Sequence, residues 1–261
     1  MRNIVTRLRS KMLFIFYELV FGLFTPAKVS CVNFGYAPAT TGLADLYPHP
    51  EEGCQYELYW QTYAQLARPL EDHEILCEIS CGRGGGLAFL RGLTRARLIG
   101  LERSFFARRT ARKRFGLDVR YAQAPSLPLA DQSVDVFLCI DSAHIFHTPQ
   151  FVRELHRCLK PEGLVLLADQ NDGSDGYVRQ FLERRYARAG FRLERWRDIR
   201  PNVLRALHCE QPRKQQILSA LPNIPVLRAK AAAFMSMEGS RKYRELEQGQ
   251  RTCFIMQARK L

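Results

Sequence analysis

Short apolar runs alternate with amphipathic stretches along the middle of this 261-residue chain. The apolar runs have the length of strands and lie near residues 74–79, 97–102, 118–122, 134–140 and 163–169. The stretches between them carry apolar residues at helical spacing near residues 85–92, 104–115, 149–158 and 174–189. Strands that alternate with helices predict a parallel sheet with helices on both faces. Two further strands are predicted at Phe191–Ile199 and Thr252–Ala258.

The positions of proline and glycine, together with changes in polarity along the sequence, divide the chain into an α/β core and helical segments added to that core. The predicted parts are an N-terminal helical cap (residues 1–70), an α/β core (71–200), a helical insertion (201–250) and a last core strand (251–261). The cap is expected to contain an apolar helix, a loop rich in Pro, Gly and Thr over residues 37–53, and a helix through Tyr59 and Trp60. Three prolines interrupt the helical insertion.

A glycine-rich turn follows the first predicted strand, in the segment Ile75-Leu-Cys-Glu-Ile-Ser-Cys-Gly-Arg-Gly-Gly-Gly86. The next strand ends in an acid, Glu102. Strand, glycine turn, helix, strand and terminal acid together predict a nucleoside-binding βαβ unit. Gly82 and Gly84 are expected to let the backbone turn sharply and approach a ligand. Glu102 is expected to accept hydrogen bonds from both ribose hydroxyls.

Details of this turn favour S-adenosylmethionine over a dinucleotide. A dinucleotide fingerprint has a third small residue where this chain has Leu87. Glu78 would repel a pyrophosphate, but it can pair with the amino group of a methionine moiety. The methionine carboxylate is expected at the N–H groups that open the helix after Gly86.

Two downstream motifs complete a pattern that resembles the class I S-adenosylmethionine-dependent methyltransferases. They are Leu127-Pro-Leu-Ala-Asp-Gln-Ser-Val-Asp-Val-Phe-Leu-Cys-Ile-Asp141 and Leu155-His-Arg-Cys-Leu-Lys-Pro-Glu-Gly-Leu-Val-Leu-Leu-Ala-Asp169. The resemblance covers roughly residues 33–200, with a weaker echo over 243–260, and is strongest to phthiotriolone-type and sugar O-methyltransferases. It implies a doubly wound, mostly parallel, seven-stranded Rossmann-like sheet with an antiparallel last strand, capped by helices from the N-terminus and the late insertion.

The resemblance also implies which residues hold the cofactor. They are Tyr36, Tyr59, Glu78, Ser80, Cys81, Gly82, Gly84, Glu102, Gln123, Ala124 and Asp141. Gln123 stands where the family usually has an acid that accepts from the adenine amino group, and its amide carbonyl can accept the same bond. Ser80 replaces the usual first glycine, at little cost if its backbone angle is ordinary. Tyr36 and Tyr59 either close over the methionine end or belong to the aromatic core.

A histidine and an acid are predicted to perform proton transfer. His144 follows the fourth strand by a few residues, and Asp169 ends the adjacent fifth strand. An imidazole has a pKa suited to taking a proton at neutral pH, and a buried acid can hold it in the correct tautomer. Family members that methylate hydroxyl groups use a similar pair. The alternative is that His144 only forms a wall of the pocket, and His147, His156 and His208 have weaker claims to a role.

The composition of the chain limits which kinds of binding partner are expected. The formal net charge is +13, but no nucleic-acid motif accompanies the arginine-rich stretches, which predicts a solvated or membrane-facing surface rather than an RNA-binding one. The eight cysteines lack zinc-ligand spacing, so reduced thiols in a cytoplasmic protein and no metal site are expected.

The segment Met12–Phe24 is apolar but too short to span a bilayer. It is predicted to be either a lid helix over the active site or an interfacial helix at the inner face of a membrane. Together with apolar residues of the insertion (Leu221, Ile224, Val226, Leu227, Phe234, Met235 and Met237), it favours a lipophilic small-molecule acceptor. The favoured reaction is O-methylation; the alternatives are C-methylation of a quinone or sterol-like carbon, an RNA or protein methyltransferase, and a non-enzymatic cofactor-binding scaffold.

Overall fold

A single seven-stranded sheet organises the computed structural model, which describes Glu18 and residues 29–39 and 52–261. The strands are β1 (Ile75–Ile79), β2 (Arg97–Glu102), β3 (Val119–Tyr121), β4 (Val134–Ile140), β5 (Leu159–Asp172), β6 (Phe191–Asp198) and β7 (Arg251–Lys260). Their order is β3-β2-β1-β4-β5-β7-β6, and only β7 runs antiparallel to its neighbours. The predicted mostly parallel, doubly wound sheet with an antiparallel last strand is confirmed.

One helix precedes β1, and four others connect strands where the apolar spacing predicts them. They are α1 (Gly53–Tyr63), α2 (Gly85–Leu90), α3 (Phe105–Phe115), α4 (Pro149–Cys158) and α5 (Asp175–Ala187). The Ser104 hydroxyl caps α3, and the Thr148 hydroxyl caps α4 just before Pro149. Gly116 ends α3 in the left-handed conformation (φ +62°) that glycine adopts without strain.

Four helices fill the late insertion: α6 (Arg200–Cys209), α7 (Gln211–Ser219), α8 (Pro225–Phe234) and α9 (Arg241–Glu247). A proline occupies the first turn of α6, α7 and α8, where the missing N–H leaves no helical bond unmade. Of the three prolines that were expected to interrupt the insertion, Pro212 and Pro225 lie in the first turn of a helix, whereas Pro222 separates α7 from α8.

Each face of the sheet is buried under a different set of elements. Alternate residues of one strand enter opposite cores: Leu138 packs with residues of α1, α2 and α6, whereas Phe137 packs with residues of α4 and α5. Both side chains are almost completely buried. A strand buried on both faces reads as a continuous apolar run, which is why β4 stands out in the sequence.

One strand boundary differs from its prediction. β5 begins at Leu159, which pairs with Val134, rather than near residue 163. The register shifts at that point, and Glu162 has a left-handed φ of +62°. The helix before it ends at Cys158, as the predicted helix near residues 149–158 requires. A strand that starts with such an irregularity lacks the regular apolar pattern from which its first residue is predicted.

Parts of the predicted cap fall outside the described residues. Of the apolar segment Met12–Phe24 only Glu18 is described, and most of the loop predicted over residues 37–53 is likewise outside. Within residues 29–39 and 52–261, every helix is too short or too polar to cross a lipid bilayer.

Candidate active site

A cavity of about 440 Å³ lies over the carboxyl ends of β1, β2 and β4. Its floor is formed by strand ends such as Ile79, Glu102 and Ile140, and its other walls come from residues 29–34 and the insertion helices. In open α/β sheets ligands bind at such a point, where the strand order reverses direction.

Every second residue of the glycine turn after β1 has a left-handed backbone conformation. The φ angles are +58° at Ser80, +54° at Gly82 and +83° at Gly84. The backbone angle of Ser80 is therefore not ordinary, and the serine carries a strain that a glycine would avoid. Ser80 and Gly82 line the cavity, but Gly84 does not.

The reason for Gly84 differs from the expectation. A Cβ built on it would lie 2.7 Å from the Cβ of Ala111 and 2.8 Å from Cδ1 of Leu117. Gly84 is therefore required by the close packing of the turn on α3, rather than by the approach of a ligand.

Glu102 ties the glycine turn to the end of β2. Its carboxylate accepts hydrogen bonds from the backbone N–H of Gly82 (3.0 Å) and of Ser104 (2.6 Å). The side chain lines the cavity although the residue is only 7% exposed. Burial raises the pKa of Glu102, and the backbone N–H donors oppose that rise. The acid stands where the ribose-binding prediction requires an acceptor.

A second buried acid, Glu78, lies on β1 two residues before the turn and does not itself line the cavity. Glu78 is fully buried, and its Oε1 accepts a hydrogen bond from the Tyr59 hydroxyl at 2.6 Å. Its Oε2 has no hydrogen-bond partner within the described part of the chain. Burial raises the pKa of Glu78 to about 8. An orphaned buried carboxylate oxygen fits a ligand that brings an ammonium group, as the methionine end of S-adenosylmethionine does.

The Tyr59 ring closes over the start of α2. A Cβ on Gly86 would lie 1.8 Å from Cζ of Tyr59, so only glycine permits this contact. Tyr59 lines the cavity. Tyr36 does not: it is buried elsewhere, with the Arg197 guanidinium 5.5 Å above its ring.

The remaining predicted cofactor residues surround the same cavity. Cys81, Gln123 and Ala124 all line it. Burial raises the pKa of the Cys81 thiol well above its usual value, which keeps it neutral. Gln123 is exposed, and its Oε1 accepts a hydrogen bond from the Tyr121 hydroxyl at 3.3 Å.

The predicted histidine–acid pair is formed. Nδ1 of His144 lies 2.7 Å from Oδ1 of Asp169, and the His144 backbone N–H donates to Oδ2 at 2.6 Å. Asp169 is fully buried, whereas the His144 side chain is 22% exposed and lines the cavity. Burial by itself would lower the pKa of His144, but the carboxylates of Asp169 and Asp141 outweigh it and raise the pKa. Nδ1 is thus engaged by Asp169, while the His144 side chain borders the cavity.

Comparisons with known proteins agree with this geometry. The methyltransferase domain family matches residues 77–167. A phthiotriol/phenolphthiotriol dimycocerosates methyltransferase of Mycobacterium leprae (strain TN) is 30% identical over 199 residues, an alignment that covers 74% of this chain and 71% of the relative. This chain belongs to the class I S-adenosylmethionine-dependent methyltransferases. Its cofactor is accordingly S-adenosylmethionine.

Solved structures share the fold of this methyltransferase at low sequence identity. The cyclase SpnF has a TM-score of 0.73 at 18% identity, with 94% of each chain covered. Geranyl diphosphate C-methyltransferase from Streptomyces coelicolor A3(2) has a TM-score of 0.62 at 15% identity, with 88% of each chain covered. These structures differ in their named reactions, so the fold does not select the acceptor.

Asp141 lies beside the histidine–acid pair in the methyltransferase. It adopts a left-handed φ of +48°, and its Oδ1 accepts a hydrogen bond from Nε2 of Gln170 at 2.8 Å. Burial raises the pKa of Asp141 to about 6. One ligand atom each from Asp141, His144 and Asp169 lies within 4.8 Å of the others, a spacing that a metal ion could use. Both oxygens of Asp169 already accept hydrogen bonds, and the expectation of a metal-free site stays a prediction.

Three further histidines of the methyltransferase, His147, His156 and His208, do not line the cavity. The His147 ring packs against Phe151 and Tyr186, and burial lowers its pKa to about 4. His156 packs against Phe191, as a helix residue was expected to do. His208 is exposed and pairs with Glu238 at 2.7 Å, so it does not line the acceptor pocket.

The insertion forms one wall of the cavity, but only some of the apolar residues predicted for the acceptor site belong to that wall. Of the predicted apolar set, Phe234 and Met235 line the cavity. Leu221 and Leu227 instead pack between α7 and α8, and Ile224 and Val226 are exposed.

Several lining residues were not anticipated. They are Ser30 and Cys31 from the N-terminal segment, and Arg213, Lys214, Ile217 and Lys242 from the insertion. No local pattern marks them, because their position depends on how the cap helices pack over the sheet.

Proposed function

We propose that this methyltransferase O-methylates a hydroxyl group of a lipophilic small molecule, with His144 as the general base and Asp169 as the group that orients it. The observation that carries the proposal is the 2.7 Å contact between His144 Nδ1 and the fully buried Asp169, with the imidazole at the cavity wall. A base oriented by a third group and open to the acceptor is the arrangement that activates a hydroxyl.

The pair prepares the imidazole for one proton transfer. In the neutral imidazole Nδ1 keeps its proton and donates a hydrogen bond to Asp169, so Nε2 carries no proton and can take the one from an acceptor hydroxyl. The imidazolium formed in that step lies against a buried carboxylate, which stabilises its charge. A positioned base of this kind contributes about 10²–10⁴-fold to a rate.

The chain's own residues are also suited to hold the cofactor. When bound, S-adenosylmethionine supplies a methyl group that its sulfonium already activates. We assign the ribose hydroxyls to Glu102 and the ammonium group to Glu78, whose Oε2 lacks a partner within the described residues. Gln123 is assigned to the adenine amino group, and Tyr59 to closure over the methionine end.

A lipophilic acceptor is supported by the wall opposite the sheet. Ile217, Phe234 and Met235 present apolar surface to the cavity. The mycobacterial relative is named for phthiotriol and phenolphthiotriol dimycocerosates.

The first experiment tests the cofactor site. Isothermal titration calorimetry is used to measure the binding of S-adenosylmethionine and S-adenosylhomocysteine to the wild type and to Glu102→Ala. We expect micromolar binding that the substitution reduces at least tenfold. Normal binding by a folded variant would contradict the role of Glu102, and no binding to the wild type would favour a non-enzymatic scaffold.

The second experiment tests the base. Lipophilic hydroxyl compounds are screened by mass spectrometry for the gain of one methyl group, and the product is analysed for its new bond. His144→Ala is then compared with His208→Ala, a matched control at an exposed histidine outside the cavity. We expect a loss of about 10²–10⁴-fold for His144→Ala alone. A loss below tenfold, or a methyl group on carbon, would refute the proposed reaction.

A further inference from the structure

Lys214 of α7 is an unusual lysine. It lines the cavity, yet the residue is only 5% exposed. Its Nζ has no hydrogen-bond partner in the described part of the chain. Burying an ammonium group without a partner is unfavourable, so such a group is retained where a ligand completes it.

The neighbouring arginine shows the contrast. Arg213 also lines the cavity, but it pairs with Glu52 at 3.0 Å and with Glu210 at 2.7 Å. These contacts fasten α7 to the N-terminal part of the cap and use the two nearest buried acids. They leave Lys214 as a positive group on the cavity wall that no acid of residues 29–39 and 52–261 contacts directly.

Burial lowers the pKa of Lys214 to about 8, with Glu210 and Asp141 raising it and Arg213 lowering it. The amine therefore remains mostly protonated at neutral pH. Asp141 belongs to the side of the cavity that holds the histidine–acid pair, whereas Glu78 and Glu102 lie at the glycine turn. The charge of Lys214 thus acts on Asp141, which lies beside the histidine–acid pair and lines the same cavity.

We propose that Lys214 determines acceptor specificity by binding an anionic group, such as a phosphate or carboxylate, on an otherwise apolar acceptor. The apolar body of that acceptor would lie along Ile217, Phe234 and Met235, which line the same cavity as the lysine. This inference rests on the proposed methyltransferase function and adds the charge of the substrate class. The carboxylate of the cofactor's methionine moiety has the same chemistry, and the experiment separates the two sources.

The test uses octyl phosphate and 1-octanol as probes that share one apolar chain and differ in charge. Each is titrated calorimetrically into the wild type, Lys214→Met and Lys230→Met, with and without saturating S-adenosylhomocysteine. Lys230 is the matched control, since it is an exposed lysine of α8 that does not line the cavity. Thermal unfolding of each free protein is measured in parallel.

We expect the wild type and Lys230→Met to bind octyl phosphate at least tenfold more tightly than 1-octanol, and Lys214→Met to lose that preference. S-adenosylhomocysteine should bind all three proteins alike. Lys214→Met should unfold at the same or a higher temperature than the wild type, because it removes an uncompensated buried charge.

Other outcomes overturn the proposal. If the wild type shows no preference for the phosphate, or Lys214→Met retains it, Lys214 binds no acceptor anion. If Lys214→Met instead binds S-adenosylhomocysteine at least tenfold more weakly, the lysine holds the cofactor's carboxylate. If it fails to fold, the lysine is structural. Failure of the wild type to bind S-adenosylhomocysteine would refute the proposed function separately, since the probes are also titrated without it.

Discussion

Asp169→Asn separates the role of the histidine–acid pair from the shape of the site. Asparagine has nearly the shape of aspartate, but it has one acceptor oxygen and a donor NH₂. Asp169 accepts three N–H groups, two at Oδ1 (His144 Nδ1, 2.7 Å, and Gln170 N, 2.9 Å) and one at Oδ2 (His144 N, 2.6 Å). In either orientation of the amide, its NH₂ faces at least one N–H donor.

The size of the effect follows from these contacts. A hydrogen bond to a charged group contributes about 1.5–3 kcal/mol, and about 1.36 kcal/mol corresponds to a factor of ten in rate. Losing the charge-assisted bond to His144 should therefore reduce kcat by about 10- to 150-fold. The affinity for S-adenosylhomocysteine should stay unchanged, because Asp169 does not itself line the cavity.

The pH profile provides an independent readout. His144 must be neutral to accept a proton, and its pKa lies above the ordinary 6.5, so wild-type kcat/KM should rise with pH through a midpoint above 6.5. In Asp169→Asn the main upward influence on the pKa is gone and burial dominates. The midpoint should then move to lower pH while the plateau falls.

The assay is methyl transfer to the acceptor identified by mass gain, measured from pH 5 to 9. The control is Asp172→Asn, the same substitution three residues along β5, where the side chain is 81% exposed. A loss below threefold together with an unchanged midpoint would refute the orienting role, and His144 would then be only a wall of the pocket.

Three further substitutions test the glycine turn and its surroundings. Folding raises the pKa of Glu78 from 4.5 to about 8. The free energy of unfolding of the wild type, measured with urea, should therefore fall by on the order of 3–5 kcal/mol as the pH rises through that range. Glu78→Gln removes the carboxyl group and should not show this fall. Gly86→Ala would place a methyl group against the Tyr59 ring and should destabilise the protein by about 1–3 kcal/mol while weakening cofactor binding, as shown by calorimetry. Ser80→Gly relieves a left-handed serine and should stabilise the protein by up to about 1 kcal/mol in the same unfolding assay.

Each of these has a result that contradicts it. A pH-stability curve of Glu78→Gln that matches the wild type would mean that Glu78 is solvated. The control for Gly86→Ala is Gly176→Ala on α5, where a Cβ meets nothing within 4 Å and stability should be kept or improved. Equal destabilisation of both alanine variants would rule out the Tyr59 contact as the cause. Destabilisation by Ser80→Gly would show that the serine side chain makes a contact worth more than the strain.

The sequence predicted the sheet and the histidine–acid pair because both depend on short-range patterns. Strands buried on both faces are continuous apolar runs, and the glycine turn is recognised from residues that are adjacent in the sequence. The pairing of His144 with Asp169 followed from one rule: β4 and β5 are parallel neighbours, so the residues after their carboxyl ends meet at the same edge. Strand irregularities such as the early start of β5 were not visible in this way.

Only the tertiary structure decided what lies over that edge. The N-terminal segment and the insertion are separated by more than 150 residues, yet Arg213 contacts Glu52 across this distance. In the packed structure Lys214 lines the cavity, whereas Tyr36 lies outside it, beneath the Arg197 guanidinium. The packing also requires Gly84 and Gly86, which make room for α3 and for Tyr59. Local periodicity reports which face of an element is buried, but not which distant side chain it meets, because that is set by the packing of the whole chain.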